Sequence, residues 1–282
     1  MTSAVRTPAV AGRFYPAHSE QLLREVREYT SPPQPGRVSA IGCVAPHAGY
    51  IYSGRVAGAV FSRLEIPTHC IILCPNHTGK GVPLAIMTAS AWQTPLGVVA
   101  VSELGSRLLQ RFPALEENSA AHQSEHAIEV QLPFLQAARS ELQLGLQSEL
   151  KSGVKIVPIA IGTRNFEVLR LLGEALADVV GEWKEKVLII ASSDMNHYEP
   201  DPITRIKDHK AIERVLALDA AGLSEVVTNE EISMCGVGPT IAMLTAANRL
   251  GATRATLAQY ATSGDVSGDR DAVVGYAGII IQ

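Results

Sequence analysis

Three uninterrupted apolar runs, each ending in a turn that carries a histidine, constrain this chain most. They are Ile41-Gly42-Cys43-Val44-Ala45-Pro46-His47, Cys70-Ile71-Ile72-Leu73-Cys74-Pro75-Asn76-His77, and Val187-Leu188-Ile189-Ile190-Ala191-Ser192-Ser193-Asp194-Met195-Asn196-His197. A strand buried on both faces reads as a continuous apolar run, the pattern of a central strand in a parallel sheet. In open α/β sheets, ligands sit beyond the carboxyl ends of such strands. The runs therefore aim His47, His77, Asp194 and His197 at one crevice. Imidazole and carboxylate are groups that bind metals and move protons.

Strands are expected near 39–46, 69–75, 83–88, 97–101, 154–161, 187–192, 254–261 and 272–281, and helices near 18–29, 54–64, 103–111, 122–139, 164–180, 205–217, 219–227 and 239–250. Ser53 reads as the N-cap of the second helix, and Pro239 suits the first turn of the last. Ser31-Pro32-Pro33-Gln34-Pro35-Gly36 reads as a stiff linker, and Glu141 to Gly153 as a loop. The alternation argues for one α/β domain over residues 1–282, with a mostly parallel central sheet and helices on both faces.

Bulk composition narrows the function classes. Hydrophobic content of 46% with 18% charged residues fits a folded protein rather than a disordered one. A formal charge of −4 gives no reason to expect nucleic acid or an anionic membrane as partner. The first residues lack the apolar core of a signal peptide. No apolar stretch reaches the roughly 18 residues of a membrane span. Cys43, Cys70 and Cys74 lie in apolar runs and read as small core residues, with no zinc-type pair of cysteines. A reducing, cytoplasmic setting follows.

His47 and His77 share one grammar: apolar strand, Pro, His, Gly. Two such turns on neighbouring strands suggest converging imidazoles. A carboxylate such as Asp194 orients a nearby imidazole and raises its basicity, or else caps its own turn. Cys235, in Met234-Cys235-Gly236-Val237-Gly238-Pro239, precedes a helix whose N-terminus favours a thiolate. His122-Gln123-Ser124-Glu125-His126 matches H-x-x-E-H; on a helix the two histidines would share a face, as in one class of zinc peptidase. The alternative is a polar helix face lining the same crevice, with Glu125, His126 and Glu129 on one stripe. His18, His69 and His209 read as structural or surface residues. Ser263 to Asp269 has the composition of a hairpin loop that could close over a site.

Taken together, the ordered blocks Pro8–Pro16, Pro46–Tyr50, Pro75-Asn76-His77, Glu125–Leu135, Ser192–Tyr198 and Ser263–Asp269 resemble the Memo family. Its bacterial and archaeal members are called AmmeMemoRadiSam system protein B. The resemblance implies a fold similar to class III extradiol dioxygenases, which are non-haem iron enzymes. It implies His47, His77 and Cys235 as metal ligands for Fe(II) or copper, with zinc as a possible substitute. It places His197 where a dioxygenase keeps its acid/base, with Asp194 beside it. Asn76, Tyr50, Glu125 and His126 are implied as pocket-lining residues. A link to a radical SAM partner follows from the family name.

The leading expectation is a metal-dependent redox enzyme with a dioxygenase-like pocket. Because cysteine replaces the usual carboxylate ligand, ring cleavage does not follow. The second expectation is a non-catalytic module that binds a small molecule or peptide in the same pocket. The third is a zinc hydrolase built on His122, Glu125 and His126.

Overall fold

Every residue of Gly42–Ala45, His69–Pro75 and Val187–Ser192 is buried, which is why these segments read as unbroken apolar runs. The computed structural model describes residues 5–31, 36–141 and 153–282. In chain order the strands are β1 (Gly42–Ala45), β2 (His69–Pro75), β3 (Leu84–Ile86), β4 (Ala91–Thr94), β5 (Gly97–Val101), β6 (Glu116–Glu117), β7 (Lys155–Ile161), β8 (Val187–Ser192), β9 (His197–Glu199), β10 (Ala255–Thr262) and β11 (Val273–Ile281). The helices are α1 (Ser19–Tyr29), α2 (Tyr50–Phe61), α3 (Leu104–Arg111), α4 (Ala120–Gln123), α5 (Leu132–Glu141), α6 (Phe166–Gly181), α7 (Asp201–Leu216), α8 (Ala220–Asn229), α9 (Val237–Arg249) and the single turn α10 (Gly264–Ser267).

The strands form one sheet in the order β10-β11-β1-β8-β2-β7-β3-β6. Its centre, β1-β8-β2-β7, is parallel. On either side, β11 and β3 run antiparallel to their inner neighbours. The sheet is therefore mixed, with a parallel core, rather than parallel nearly throughout. Because side chains alternate across a strand, β2 sends Ile71 and Leu73 to one face and Cys70, Ile72 and Cys74 to the other. The first face packs on α3, α6, α7, α8 and α9 and the second on α1, α2 and α5, so helices cover both. Fully burying a Leu or Ile side chain contributes roughly 1.5–3 kcal/mol. Cys43, Cys70 and Cys74 are all core residues.

Two helices differ from expectation. α2 starts at Tyr50 with Gly49 as its cap, and Ser53 lies inside it, donating its hydroxyl to the Ala48 carbonyl. The expected helix over 122–139 is broken into α4, a bend at Ser124, a 3-10 turn at Glu129–Gln131, and α5. Pro133 falls in the first turn of α5, where its missing N–H costs nothing. Pro239 occupies the same kind of position in α9. Most of the expected linker and of the 141–153 loop lies outside the described residues.

Parallel pairing puts the carboxyl ends of β1, β8, β2 and β7 on one edge, with Ala45 opposite Ser192 and Pro75 opposite Ile161. The turns that leave these strands carry His47, Asp194, His77 and Arg164.

Candidate metal centre

β8 lies between β1 and β2, so His47 and His77 are not on adjacent strands. They converge nonetheless, with ring centroids 5.1 Å apart. Cys235, in the turn before α9, joins them. Nitrogens of His47 and His77 and the Cys235 Sγ all lie within 4.8 Å of one another, and His47 Nε2 is 3.2 Å from that sulfur.

The hydrogen bonds behind the rings decide which nitrogens are free. Ser192 Oγ donates to the Ala127 carbonyl at 2.7 Å and accepts from Gln131 Nε2 at 2.8 Å. Its proton being spent, it can only accept from His47 Nδ1, 2.9 Å away. His47 therefore carries its proton on Nδ1 and turns the Nε2 lone pair toward Cys235. Burial holds its pKa well below the usual histidine value, with His77 and His126 adding to the effect. A neutral imidazole is the ligand form. Asp194 Oδ1 accepts the His47 backbone N–H at 2.7 Å and fixes the turn.

Glu125 does the same for His77. Its fully buried carboxylate accepts the His77 N–H at 2.7 Å and Nδ1–H at 3.0 Å, and also the amides of His126 and Ala127. Burial alone would raise the Glu125 pKa, but the hydrogen bond and charge of His77 and the Ala127 amide outweigh it and hold it at about 2. His77 shows the mirror effect: burial pulls its pKa down, and Glu125 more than restores it, for a net rise. Hydrogen bonding of the far ring nitrogen is the usual support for a metal-bound histidine. His126 stacks on His77 at 4.9 Å, and Phe14 packs against His126 at 4.7 Å.

Cys235 departs from expectation. Burial, reinforced by the neighbouring Asp194, pushes its thiol pKa up in spite of the α9 N-terminus. A thiolate here requires a cation to balance it, and a coordinated metal deprotonates a thiol outright. The donor set of two imidazole nitrogens and one sulfur thus fits a metal ion: each ring is held through Nδ1, which leaves Nε2 for the ion, and the sulfur accepts the Asp194 N–H at 3.3 Å with lone pairs to spare.

His197 stands on β9 at the rim of the same cleft, which encloses about 490 Å³. Its N–H donates to Ser233 Oγ at 2.7 Å and its Nδ1–H to the Ser233 carbonyl at 3.0 Å, leaving Nε2 as the acceptor. Buried Asn196 accepts both the N–H and the hydroxyl of Ser233 at 3.0 Å. One clip therefore ties the His197 turn to the segment that carries Cys235.

Other expected residues fall elsewhere. Glu125 lies beneath the wall rather than in it. Tyr50 is buried in the core, its hydroxyl donated to the Val130 carbonyl at 2.6 Å. Asn76 lines a smaller hollow of about 240 Å³ beside the cleft and organises its own turn by accepting from Thr78 and Gly79. His122 does not join the cluster. With the helix broken at Ser124 it is buried against Trp92, with its pKa lowered to about 4 by burial. The zinc-peptidase geometry is thereby excluded. The Ser263–Asp269 segment is absent from the lining of the cleft and folds onto α7, where Arg205 grips Asp265. His69 is buried against Ser102, while His209 is exposed. Sequence reading missed Ser192, Gln131, Ser233, Phe14 and Arg164. Arg164 was findable, since it follows the carboxyl end of β7.

The Memo-like protein family model matches residues 6–280. The chain belongs to the Memo family. A MEMO1 family protein of Methanopyrus kandleri is 42% identical over 98% of this chain and 99% of its own length. Others from Pyrobaculum aerophilum and Methanosarcina barkeri are 43% and 41% identical, each over at least 98% of both chains. The Memo fold expected from the sequence is thus in place, with helices on both faces of a large mixed sheet. Among the described residues no helix is long and apolar enough to cross a membrane.

Proposed function

We propose that this Memo-family protein is a metal-dependent redox enzyme whose ion is held by His47 Nε2, His77 Nε2 and Cys235 Sγ. The observation that carries this reading is the convergence of three ligand atoms: both imidazoles are held through Nδ1 so that Nε2 is left for an ion, and the Cys235 sulfur, which accepts the Asp194 N–H at 3.3 Å, keeps further lone pairs for it. Iron(II) or copper suits two imidazoles and a thiolate, and zinc would fill the same set without redox activity. When bound, such an ion would supply one-electron chemistry next to the cleft. The chain's own residues bind and orient. Ser192 and Glu125 hold the two ligand rings, and Phe14 and His126 wall one side of the cleft. His197 Nε2 accepts a substrate proton, its ring fixed through Nδ1 by Ser233. Asp194 fixes the turn of His47.

A second reading, a binding module for a small molecule or peptide, is favoured by the 3.2 Å contact of His47 Nε2 with Cys235, which satisfies both groups without an ion. Metal analysis of protein purified anaerobically separates the two. Near-stoichiometric iron or copper that is lost in His47→Ala and Cys235→Ser, with oxygen uptake on a phenol or thiol, supports the enzyme. Metal-free protein that takes up no added iron or copper supports the module. A cytoplasmic location suits four unpaired cysteines. A radical SAM partner rests on the family resemblance, and co-purification tests it.

A further inference from the structure

We infer that Arg164 is the anion-recognition residue of this cleft, and that the substrate is a small molecule bearing a carboxylate or phosphate group. The inference deepens the reading above, since it rests on the same cleft. Arg164 lines both the cleft and the smaller hollow beside it, and so do His77 and Cys235. A ligand that reaches the converging ligand atoms from either side therefore passes the guanidinium. Arg164 is the one lysine or arginine among the described lining residues of both spaces.

Its guanidinium has no hydrogen-bond or ion-pair partner among the described residues. Some arginines elsewhere in the fold are committed, such as Arg6 to Glu129 and Arg205 to Asp201 and Asp265. Others, such as Arg24 and Arg63, have no side-chain partner among the described residues; what sets Arg164 apart is its place on the lining of both spaces. The backbone on either side of Arg164 is anchored. Gly162 donates to the Pro83 carbonyl at 2.7 Å, and Asn165 caps α6 by accepting from Val168 at 3.1 Å. The free fork thus springs from a fixed point at the carboxyl end of β7.

The acids near the cleft do not compete for it. Glu125 is spent on His77 and on backbone amides, and Asp194 on the His47 amide. Planar guanidinium recognises carboxylate and phosphate through paired hydrogen bonds, and it keeps its charge at every physiological pH. The substrate would place its oxyanion on Arg164 and its reacting group at the ligand atoms.

The test is calorimetric titration of metal-loaded protein with benzoate and with phenyl phosphate, and with benzyl alcohol as the neutral control. Wild type is expected to bind at least one anion more tightly than the alcohol, and whichever binds names the group. Arg164→Gln should weaken that anion about tenfold or more and leave the alcohol unchanged. Arg164→Lys, which keeps the charge without the fork, should fall between, and it serves if the glutamine variant unfolds. Equal anion binding by wild type and both variants overturns the inference, as does wild type that binds neither anion. Metal content measured on the same samples keeps the two readings apart. Full occupancy with anion binding indifferent to Arg164 sinks only the anion site, whereas absent metal with Arg164-dependent binding sinks only the metal centre.

Discussion

Replacing Glu125 with glutamine probes the support of the site at its most buried point. The carboxylate is fully buried and accepts four N–H groups, three on Oε1 and one on Oε2. Whichever way the new amide turns, its NH₂ meets a donor: one charge-assisted hydrogen bond is lost with NH₂ at the Oε2 position, and three with it at the Oε1 position, so the first orientation is the one expected. Each such bond contributes roughly 1.5–3 kcal/mol, and an opposed donor costs about as much again. An independent figure comes from the Glu125 pKa, which falls from 4.5 to about 2 on folding. At about 1.4 kcal/mol per pH unit that is about 3 kcal/mol. Because the folded pKa is the lower one, this stability is complete above about pH 4.5 and is lost as the pH falls toward 2. Glu125→Gln should therefore lower stability by about 3 kcal/mol at neutral pH, with a melting point down by roughly 5–10 °C. It should also flatten the acid limb of the stability curve. With His77 no longer held, metal affinity should fall about 10- to 100-fold. Thermal melts across pH and chelator competition read both effects. A variant that melts like wild type and holds metal as tightly would refute the reasoning.

Three further perturbations address other parts of the site. Ser192→Ala removes the acceptor that fixes the His47 tautomer and one of the acceptors of Gln131 Nε2, which keeps the Pro46 carbonyl at 2.9 Å; metal affinity should drop about 10- to 100-fold, and nitrogen-15 NMR should show the His47 proton no longer confined to Nδ1. At Gly236 an added Cβ would strike Ser193 and come within 2.5 Å of the Ser192 carbonyl; Gly236→Ala should displace Cys235 and abolish sulfur ligation, read as loss of any thiolate-to-metal absorption band. Burial raises the Asp208 pKa to about 7, despite hydrogen bonds from the Asn196 amide and Tyr260 hydroxyl. The folded state then holds a proton that the unfolded chain has lost, so this group makes stability fall as pH rises from about 4 to 7; Asp208→Asn should remove that slope in denaturant titrations.

The parts of the fold legible in the sequence were those set by continuous burial. The bounds expected for 69–75, 97–101 and 187–192 coincide with β2, β5 and β8, and in β2 and β8 no position faces water to interrupt the run. Short strands such as β6 and β9 escaped notice because two or three residues at an edge carry no periodic pattern. The H-x-x-E-H segment misled because Glu125 turns its carboxylate back onto the amides of His126 and Ala127. That local capping competes with helix formation, and no spacing rule registers it. Tyr50 misled differently: a tyrosine beside a site histidine satisfies its hydroxyl inward on Val130 as readily as it faces a ligand. The ligand turns were legible because a polar residue at the end of a buried strand has few other reasons to be there. Their supports, Ser192 and Gln131, were not, because a hydroxyl or amide acquires its role only from what folding brings against it.

X-ray absorption on the zinc-substituted protein tests the central claim most directly. One sulfur scatterer at about 2.3 Å, with imidazole nitrogens at about 2.0–2.1 Å, is expected for ligation by His47, His77 and Cys235. Cys235→Ser should remove the sulfur shell alone. A first shell of nitrogen and oxygen without sulfur in the wild-type protein would contradict the assignment.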